Sequence, residues 1–347
     1  MKTGSQFGII STIKGAHNII EDYVKYHIHL GFHKIYLFLD DPNESYPMLE
    51  NHPEVKLIPV DEDLHQKWEK VNDYHFFKKF INADILARQA LNVGVALDIC
   101  KEDKIDWLLH IDCDELFHLP ENLSLNAHFN ELDQNGTSIF TYFNRESISD
   151  KVQIQNPFRE IATFKKNPRE LTHEELDKRK ELSQKHSEKR SIHFMGYGNG
   201  KASCRVEDVK SGGAHYFNLK GKAKRFGPIK YRVIAKEKFP YRSYSLIKKE
   251  KPVATAPIIL HFPNCGFDEF YNKYKNVHQS IPDTWLGMSK VADTTPFHIE
   301  SRDLFQKGNK EEILNFYKKR ICVEREIIDE LITENLVVEI SSAIHNI

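Results

Sequence analysis

Hydrophobic residues in the first 120 positions alternate between short continuous runs and runs at helical spacing. Residues 7–13, 33–39, 55–60 and 106–111 are mostly apolar and are short enough for buried strands. Between them, the apolar positions of residues 20–28 and 85–100 recur every three or four residues, which is typical of amphipathic helices. Strands separated by helices form βαβ units, so the pattern predicts an α/β fold with a mixed, mostly parallel sheet flanked by helices.

Local signals refine this prediction. Asn18 is placed to cap the first helix and Gly31 to end it. After residue 143 the pattern changes, and we expect three short strands at 201–206, 213–218 and 257–262. A charged helix over residues 172–189 is predicted to begin with a Thr172–Glu175 capping box and to lie on the solvated surface. A final amphipathic helix is predicted from Asn309 to about residue 332, either covering the core or offering a homodimer contact.

Composition and charge narrow the classes of protein. Of 347 residues, 40% are hydrophobic and 29% are charged, an ordinary globular balance. Lys and Arg number 49 against 50 Asp and Glu, which argues against nucleic acid as a partner. The five cysteines include no CxxC pair, and no apolar run is long enough for an export signal or a membrane span. We therefore expect a complete, soluble, cytoplasmic chain with reduced thiols.

Two acidic pairs follow predicted strands. Asp40-Asp41 ends the second strand, and Asp112-Cys113-Asp114-Glu115 ends the fourth. Parallel α/β sheets bind ligands beyond the carboxyl ends of their strands, so both pairs are expected at the binding edge. In an extended segment Asp112 and Asp114 point to the same side, so their carboxylates can coordinate one hard divalent cation. The alternative is a solvated acidic turn.

Two histidines and one basic stretch could complete such a site. His215 lies in a Gly-rich predicted strand and His261 ends an apolar one, and imidazole is a common further ligand beside carboxylates. Residues 218–251 hold twelve Lys or Arg against two acids. This stretch could form a lid over a diphosphate, contact an anionic partner or be solvated surface.

Four blocks of the sequence together match a known family pattern. The blocks are Phe7-Gly-Ile-Ile-Ser-Thr-Ile-Lys14 with residues 21–32 and Ile35 to Asp41; Arg88-Gln89-Ala90 with Asp106-Trp107-Leu108-Leu109-His110-Ile111-Asp112-Cys113-Asp114-Glu115; Gly200-Lys201-Ala202-Ser203-Cys204-Arg205 with Ala214-His215-Tyr216; and Leu260-His261-Phe262 with Phe267-Asp268-Glu269-Phe270 and Lys273. In this order they resemble the GT-A glycosyltransferases, most closely the family 92 and family-2-like group with its DxD motif. The family's Lys-Asn-Glu segment is replaced by Lys14-Gly15-Ala16-His17-Asn18.

The resemblance implies a fold and a domain organisation. It implies a Rossmann-like GT-A domain over residues 1–275, followed by a C-terminal helical extension over 276–347. Within the first domain, residues 1–120 would form the nucleotide-sugar-binding half. Residues 121–275 would form the acceptor half, with a charged insert at 165–190.

The resemblance also implies a reaction. The protein would be a metal-dependent hexosyltransferase that moves a sugar from a UDP-sugar donor to a hydroxyl of a glycan, protein or lipid-linked acceptor, with inversion. Mn²⁺ or Mg²⁺ would lie between Asp112, Asp114 and a histidine, with His215 preferred over His261. Nucleotide contacts would come from Thr12, Lys14, Asp40, Asp41, Arg88 and Asp112. The general base would be an acid such as Glu146 or one of the pair Glu207-Asp208.

Two other readings remain open. The altered segment at residues 14–18 is compatible with a nucleotide-binding module of the same fold that has no turnover. A haloacid-type phosphatase also places a DxD motif after an apolar strand. There, however, the motif follows the first strand of the sheet, whereas here it follows the fourth.

Overall fold

The computed structural model describes residues 4–186, 198–220, 231–234, 243–247, 256–277, 281–294 and 296–341. Its strands are β1 (Phe7–Ile13), β2 (Lys34–Leu39), β3 (Val55–Ile58), β4 (Trp107–His110), β5 (Glu115–His118), β6 (Ile139–Tyr142), β7 (Asn144–Ser147), β8 (Thr163–Lys165), β9 (Lys201–Arg205), β10 (Val209–Gly213), β11 (Tyr216–Leu219), β12 (Tyr231–Ile234), β13 (Ser243–Ile247), β14 (Ile258–His261), β15 (Thr284–Trp285), β16 (Ser289–Lys290) and β17 (Val337–Glu339). Its α-helices are α1 (Ile20–Leu30), α2 (Glu62–Glu69), α3 (Tyr74–Phe77), α4 (Ile85–Glu102), α5 (Leu125–Gln134), α6 (Pro157–Glu160), α7 (His173–Lys185), α8 (Phe267–Val277), α9 (Val291–Thr294), α10 (Pro296–Lys307), α11 (Lys310–Arg320) and α12 (Arg325–Thr333).

A six-stranded sheet in the order β3-β2-β1-β4-β9-β6 forms the centre of the fold. Strands β3, β2, β1 and β4 are parallel neighbours, and β9 is antiparallel to both β4 and β6. Successive side chains of a strand face opposite sides, so Ile9 and Ile10 of β1 belong to two different apolar cores. Helix α1 packs in the first core and α4 in the second. The predicted α/β class, with a mostly parallel sheet between helices, is confirmed.

A second sheet, in the order β17-β8-β7-β14-β5, adjoins the first. It is mainly antiparallel, with β14 running parallel to β7. Strand β5 belongs to this sheet although it follows β4 of the central sheet by only four residues. The short connection, residues 111–114, therefore lies where the two sheets meet. Its acidic residues are held by elements of both.

Several local predictions agree with the structure. Gly31 ends α1 in the left-handed conformation, with φ of 106°. Thr172 and Glu175 form a capping box at α7, and Asn309 and Glu312 form another at α11. Of the charged helix predicted over 172–189, α7 covers residues 173–185, and residues 187–189 lie outside the described part of the chain.

Other local predictions are wrong. Asn18 does not cap α1: the N-cap is Ile19, which makes no side-chain hydrogen bond there. His215 is not in a strand but in the two-residue turn between β10 and β11, because the chain reverses there and Gly213 pairs with Tyr216. The segment from Asp112 to Asp114 is a turn rather than an extended chain. The predicted C-terminal helix is two helices, α11 and α12, separated at residues 321–324.

The charged insert is less exposed than the sequence indicates. Leu182 of α7 is buried in a small core with residues of α12, including Ile328. Lys185 of α7 also lies 2.6 Å from Glu330 of α12. Most of the basic stretch at 218–251 lies outside the described residues, and with it the predicted lid. Among the helices of the described residues, none combines the length and apolar character needed to cross a membrane.

A candidate donor site at the junction of the two sheets

The acidic turn that follows β4 is closed by its own backbone. The amide of Glu115 donates to the carbonyl of Asp112 at 3.1 Å, and the amide of Asp112 donates to Glu115 Oε2 at 2.9 Å. The carbonyl of Asp114 accepts from the amide of Phe262, just after β14, at 2.9 Å. These bonds join the turn to the second sheet. They fix the two Asp side chains at the carboxyl edge of the parallel strands.

Asp112 is held by two side chains that the sequence analysis did not single out. Gln89 of α4 donates to Asp112 Oδ1 at 3.0 Å, and the ammonium of Lys201 at the start of β9 contacts Asp112 Oδ2. The Lys201 side chain is fully buried and also lies 3.3 Å from Glu115 Oε2. Burial opposes ionisation of Asp112, but Lys201 outweighs it and holds the pKa of this carboxyl well below its usual range.

Glu115 is the buried member of the acidic turn. Its side chain is fully buried, and burial raises its pKa to about 7, with Lys201 opposing the rise and Asp112 adding to it. Its Oε1 atom is buried without a hydrogen-bond partner among the described residues. Because Glu115 starts β5 and Lys201 starts β9, their contact ties the second sheet to the central one directly beneath the turn.

Asp114 faces a different set of groups. Its Oδ2 lies 3.8 Å from His261 Nε2 and 3.7 Å from Lys273 Nζ of α8. The other ring nitrogen of His261 lies 3.3 Å from Glu146 Oε1, and Glu146 in turn lies 3.5 Å from Lys165 Nζ. Burial lowers the pKa of His261, but the contacts with Glu146 and the nearby acids outweigh it and raise that pKa to about 9.

Two further imidazoles lie near Asp112. His110 Nδ1 lies 3.0 Å from the carbonyl of Gly213, and His215 Nδ1 lies 2.7 Å from the carbonyl of Gly200. Both rings are close enough to Asp112 to lower its pKa electrostatically. His110 Nε2 is buried with no hydrogen-bond partner in the described part of the chain. A backbone carbonyl that holds Nδ1–H leaves Nε2 as the acceptor or ligand atom.

Two side-chain atoms of the site, Asp114 Oδ2 and His261 Nε2, are spaced as two ligands of one divalent cation would be. Among the described residues, no three His, Cys, Asp or Glu side chains are placed to hold one metal ion. The 3.8 Å between Asp114 Oδ2 and His261 Nε2 nevertheless suits two ligands of a single ion, and Mg²⁺-type sites commonly combine one or two protein ligands with substrate phosphates. Asp112 is less suited, because both of its oxygens already accept hydrogen bonds.

The second acidic pair lies at the same edge. Arg88 of α4 binds Asp40 with two hydrogen bonds, of 2.5 and 2.7 Å, and Lys14 lies 3.3 Å from Asp41. Thr12, near the end of β1, accepts a hydrogen bond from Asn92 of α4 at 3.0 Å. The structure thus brings the expected nucleotide-contact residues beside the ends of β1 and β2, on the edge that carries Asp112.

Not every candidate lies at this edge. Asp208 accepts a hydrogen bond from Ser138 at 2.6 Å and follows the carboxyl end of β9. Because β9 is antiparallel to β4, that end pairs with Trp107, at the opposite edge of the sheet from Asp112. Neither Asp208 nor its neighbour Glu207 is brought to the acidic turn. Glu146 is brought there, through His261.

The sequence analysis assigned no role to five residues of the site. They are Gln89, Glu115, Lys201, Glu269 and Lys273. All five lie inside the four sequence blocks that resemble the GT-A pattern, and that resemblance was the only sequence signal for them. Glu269 of α8 is only partly buried; burial raises its pKa to about 7, with Lys273 opposing the rise and Asp114 adding to it. None of the five has a type or spacing that by itself indicates a site.

Fold and site together define a Rossmann-like α/β protein with an acidic turn, a candidate ligand site, at the carboxyl edge of its sheet. No protein-family model matches the chain. It is similar to two Arabidopsis thaliana proteins, "Glycosyltransferase-like At3g57200" and "Glycosyltransferase-like At2g41451". The first is 29% identical over 207 residues, which cover 56% of this chain and 39% of that protein. The second is 29% identical over 210 residues, which cover 56% of this chain and 45% of that protein. The chain thus matches less than half the length of either curated relative.

Among solved structures, one similar chain is that of a putative glucose-1-phosphate thymidylyltransferase from Bacillus anthracis in complex with a sucrose. The identity is 13% and the TM-score 0.26, over 48% of this chain and 65% of that one.

Proposed function

We propose that this protein is a glycosyltransferase that moves a hexose from a UDP-sugar to a hydroxyl acceptor with inversion. The observation that carries the proposal is the acidic turn at the carboxyl edge of the sheet, in which Asp114 faces His261 at 3.8 Å. The names of the two plant relatives support the transferase class. UDP as the nucleotide and inversion as the outcome rest on the resemblance of the sequence to GT-A enzymes.

The acidic turn would bind the diphosphate and the sugar. Asp114 and His261 would hold Mn²⁺ or Mg²⁺, with the His261 ring losing its proton as the metal binds. The metal would stabilise the negative charge of the departing diphosphate as a Lewis acid. The short distance to Asp114 favours His261 over His215 for this role. Asp112, fixed by Gln89 and Lys201 and 32% exposed, would accept hydrogen bonds from hydroxyls of the sugar or ribose.

The edge beside β1 and β2 would bind the nucleoside. Arg88 binds both carboxylate oxygens of Asp40, and the Asp40 side chain is only 5% exposed, so this ion pair would shape the edge from below. Lys14 and Asp41 are partly exposed and adjacent, and they offer a donor and an acceptor to the base or ribose. Thr12 is buried and bound to Asn92, so it supports this edge from below.

An inverting reaction needs a base that takes the proton of the acceptor hydroxyl. We assign this role to Glu269. It is partly exposed, and its pKa of about 7 leaves a basic carboxylate at neutral pH. Glu146 is less suited, because its side chain is only 3% exposed and is held between Lys165 and His261. Its position instead suits orientation of the His261 ring.

Thermal unfolding with a panel of nucleotides and UDP-sugars, with and without Mn²⁺, tests the proposal. A ligand that binds only the folded protein raises the midpoint by mass action. We expect UDP and one UDP-sugar to raise it in a Mn²⁺-dependent way, and Asp114→Asn to remove that dependence. Asp98→Asn, on the exposed side of α4, is the matched control and leaves the shift intact.

Each other outcome is decisive. If no nucleotide shifts the midpoint, the donor site and the transferase proposal fail together. If UDP binds equally well without Mn²⁺, the metal assignment to Asp114 and His261 fails. A Mn²⁺-dependent shift without release of UDP from any UDP-sugar would identify a binding module without turnover.

A further inference from the structure

We propose that Lys201 and Lys273 are resident counter-charges of the acidic turn, so that the free protein binds a divalent cation weakly and takes it up together with the donor diphosphate. This inference rests on the proposed function, because it concerns the same site. It adds that the metal ion and the donor diphosphate bind together, and it assigns a role to two lysines.

Lys201 is the permanent counter-charge. Its side chain is fully buried at the start of β9, and its ammonium contacts Asp112 and lies 3.3 Å from Glu115. A buried ammonium is stable only when it is paired and hydrogen-bonded, so Lys201 cannot leave while the two carboxylates remain ionised. With Gln89 on its other oxygen, Asp112 has little capacity left for a metal ion.

Lys273 is the exchangeable counter-charge. Its ammonium lies 3.7 Å from Asp114 Oδ2, the carboxylate best placed for a metal ion. The side chain is 41% exposed and extends from the surface of α8, so it can swing into solvent at little cost. A metal ion that binds Asp114 must displace this ammonium or share the carboxylate with it.

The balance of charge explains why metal and nucleotide should bind together. The three carboxylates of the turn face two lysine ammoniums and the imidazole of His261. Glu146 nearby lies between Lys165 and His261. A divalent cation entering this nearly balanced site must lose water and meet positive charge, for little Coulombic gain. The diphosphate of a donor brings negative charge and oxygen ligands, and it gives the displaced Lys273 a new partner.

Isothermal titration calorimetry of Mn²⁺ into the full chain, with and without saturating UDP, measures this coupling without turnover. We expect UDP to tighten Mn²⁺ binding by at least about tenfold, and Mn²⁺ to tighten UDP binding by the same factor, because such coupling is reciprocal. In the absence of UDP, we expect Lys273→Met to bind Mn²⁺ at least about tenfold more tightly than the unchanged protein, since Asp114 then loses the ammonium that competes with the metal ion.

The control is Lys275→Met, which removes an exposed lysine two residues along the same helix and should change neither affinity. Lys201→Met is expected to act like Lys273→Met. If the loss of this buried charge prevents folding, Lys273→Met decides the question alone.

Three results overturn the inference: tight Mn²⁺ binding by the unchanged protein without UDP, equal Mn²⁺ affinity with and without UDP, or no effect of Lys273→Met. The first leaves the proposed function standing, because a preformed metal site also serves a transferase. Absence of UDP binding at any Mn²⁺ concentration would instead refute the proposed function itself.

Discussion

Asp112 and Asp114 stand two residues apart, yet their surroundings suit them to different tasks. Asp112 has a buried lysine on one oxygen and a glutamine on the other, which fix its charge and its orientation. Asp114 has a half-exposed lysine and a histidine, each more than 3.5 Å away, which leave room for a ligand. One carboxylate is therefore preorganised to accept hydrogen bonds, and the other is open to exchange partners.

At this scale we predict that Glu269→Gln lowers kcat for UDP release by a factor of about 10² to 10⁴, the usual contribution of a general base. The donor is the UDP-sugar that gives the largest thermal shift. Mn²⁺-dependent UDP binding should stay within about threefold, because Glu269 is not placed among the donor's contacts. In the unchanged protein the rate should rise with pH through about 7, where the Glu269 carboxyl loses its proton.

Glu146→Gln is the matched comparison for Glu269→Gln. Because Glu146 holds the ring of His261, we expect its loss to weaken Mn²⁺-dependent UDP binding more than it lowers kcat. A kcat that survives Glu269→Gln unchanged would place the base elsewhere. If Glu146→Gln reduced only kcat, the two roles would be exchanged.

Among the elements, β9 does most to build the site. The neighbouring strands β1, β2 and β4 reach the binding edge with their carboxyl ends, whereas antiparallel β9 reaches it with its first residue. Lys201 is that residue, and so it lies beside Asp112 although 89 positions separate them. The preceding Gly200 has φ of 68°, and its carbonyl accepts the hydrogen bond of His215.

We predict that Gly200→Ala destabilises the fold by at least about 2 kcal/mol, since it combines positive φ with a backbone clash. A Cβ atom at position 200 would lie 2.1 Å from the carbonyl oxygen of Tyr142, so β9 or β6 must shift. Chemical denaturation measures the loss, and the Mn²⁺-dependent UDP shift should weaken with it because Lys201 moves.

Gly4→Ala is the control for Gly200→Ala, since a Cβ atom there meets nothing within 4 Å. Its free energy of unfolding should stay within about 0.5 kcal/mol of the unchanged protein. A Gly200→Ala protein of full stability would contradict the close contact between the backbone at Gly200 and the carbonyl of Tyr142.

At the scale of the whole molecule, two histidines join separate elements: buried His27 joins α1 to the second sheet, and partly buried His298 joins α10 to α8. His27 of α1 is fully buried: its Nδ1 donates to the carbonyl of Tyr23, and its Nε2 accepts from the amide of Phe117 in β5. Burial lowers its pKa from 6.5 to about 3. It also lowers the pKa of His298, in α10, to about 4.

These shifts predict acid sensitivity. The folded pKa of His27 lies below the unfolded value, so its stabilisation is complete above pH 6.5 and is lost as the pH falls from 6.5 toward 3. Each such group contributes a slope of at most about 1.4 kcal/mol per pH unit in that range. We expect the free energy of unfolding, measured in urea from pH 4 to 8, to decrease as the pH is lowered from about 6.5.

His27→Gln should flatten this dependence by the slope of one group, while lowering stability at pH 7 because the bond from Phe117 is impaired. His29→Gln, on the exposed side of the same helix, should leave both unchanged. A stability that is independent of pH between 4 and 7 would contradict the buried neutral histidine.

Much of the fold could be predicted from the sequence because its signals are local. The runs at β1, β2 and β4 and the spacing in α4 record which side chains are buried, and burial follows from the polarity of each residue. Capping at Thr172 and Asn309 depends on only four consecutive residues. The failures, at Asn18 and His215, occur where the chain forms turns, which these local patterns did not indicate.

The position of the acidic turn was also determined by the sequence, since a strand that ends in acids places them at the carboxyl edge of a parallel sheet. What only the tertiary structure decided is which charges meet there. Lys201, His261 and Lys273 come from distant strands and a helix, and the reversed direction of β9 moved Asp208 to the other edge. Local polarity fixes burial, but pairing between distant segments depends on chain direction and register, which no short stretch of sequence contains.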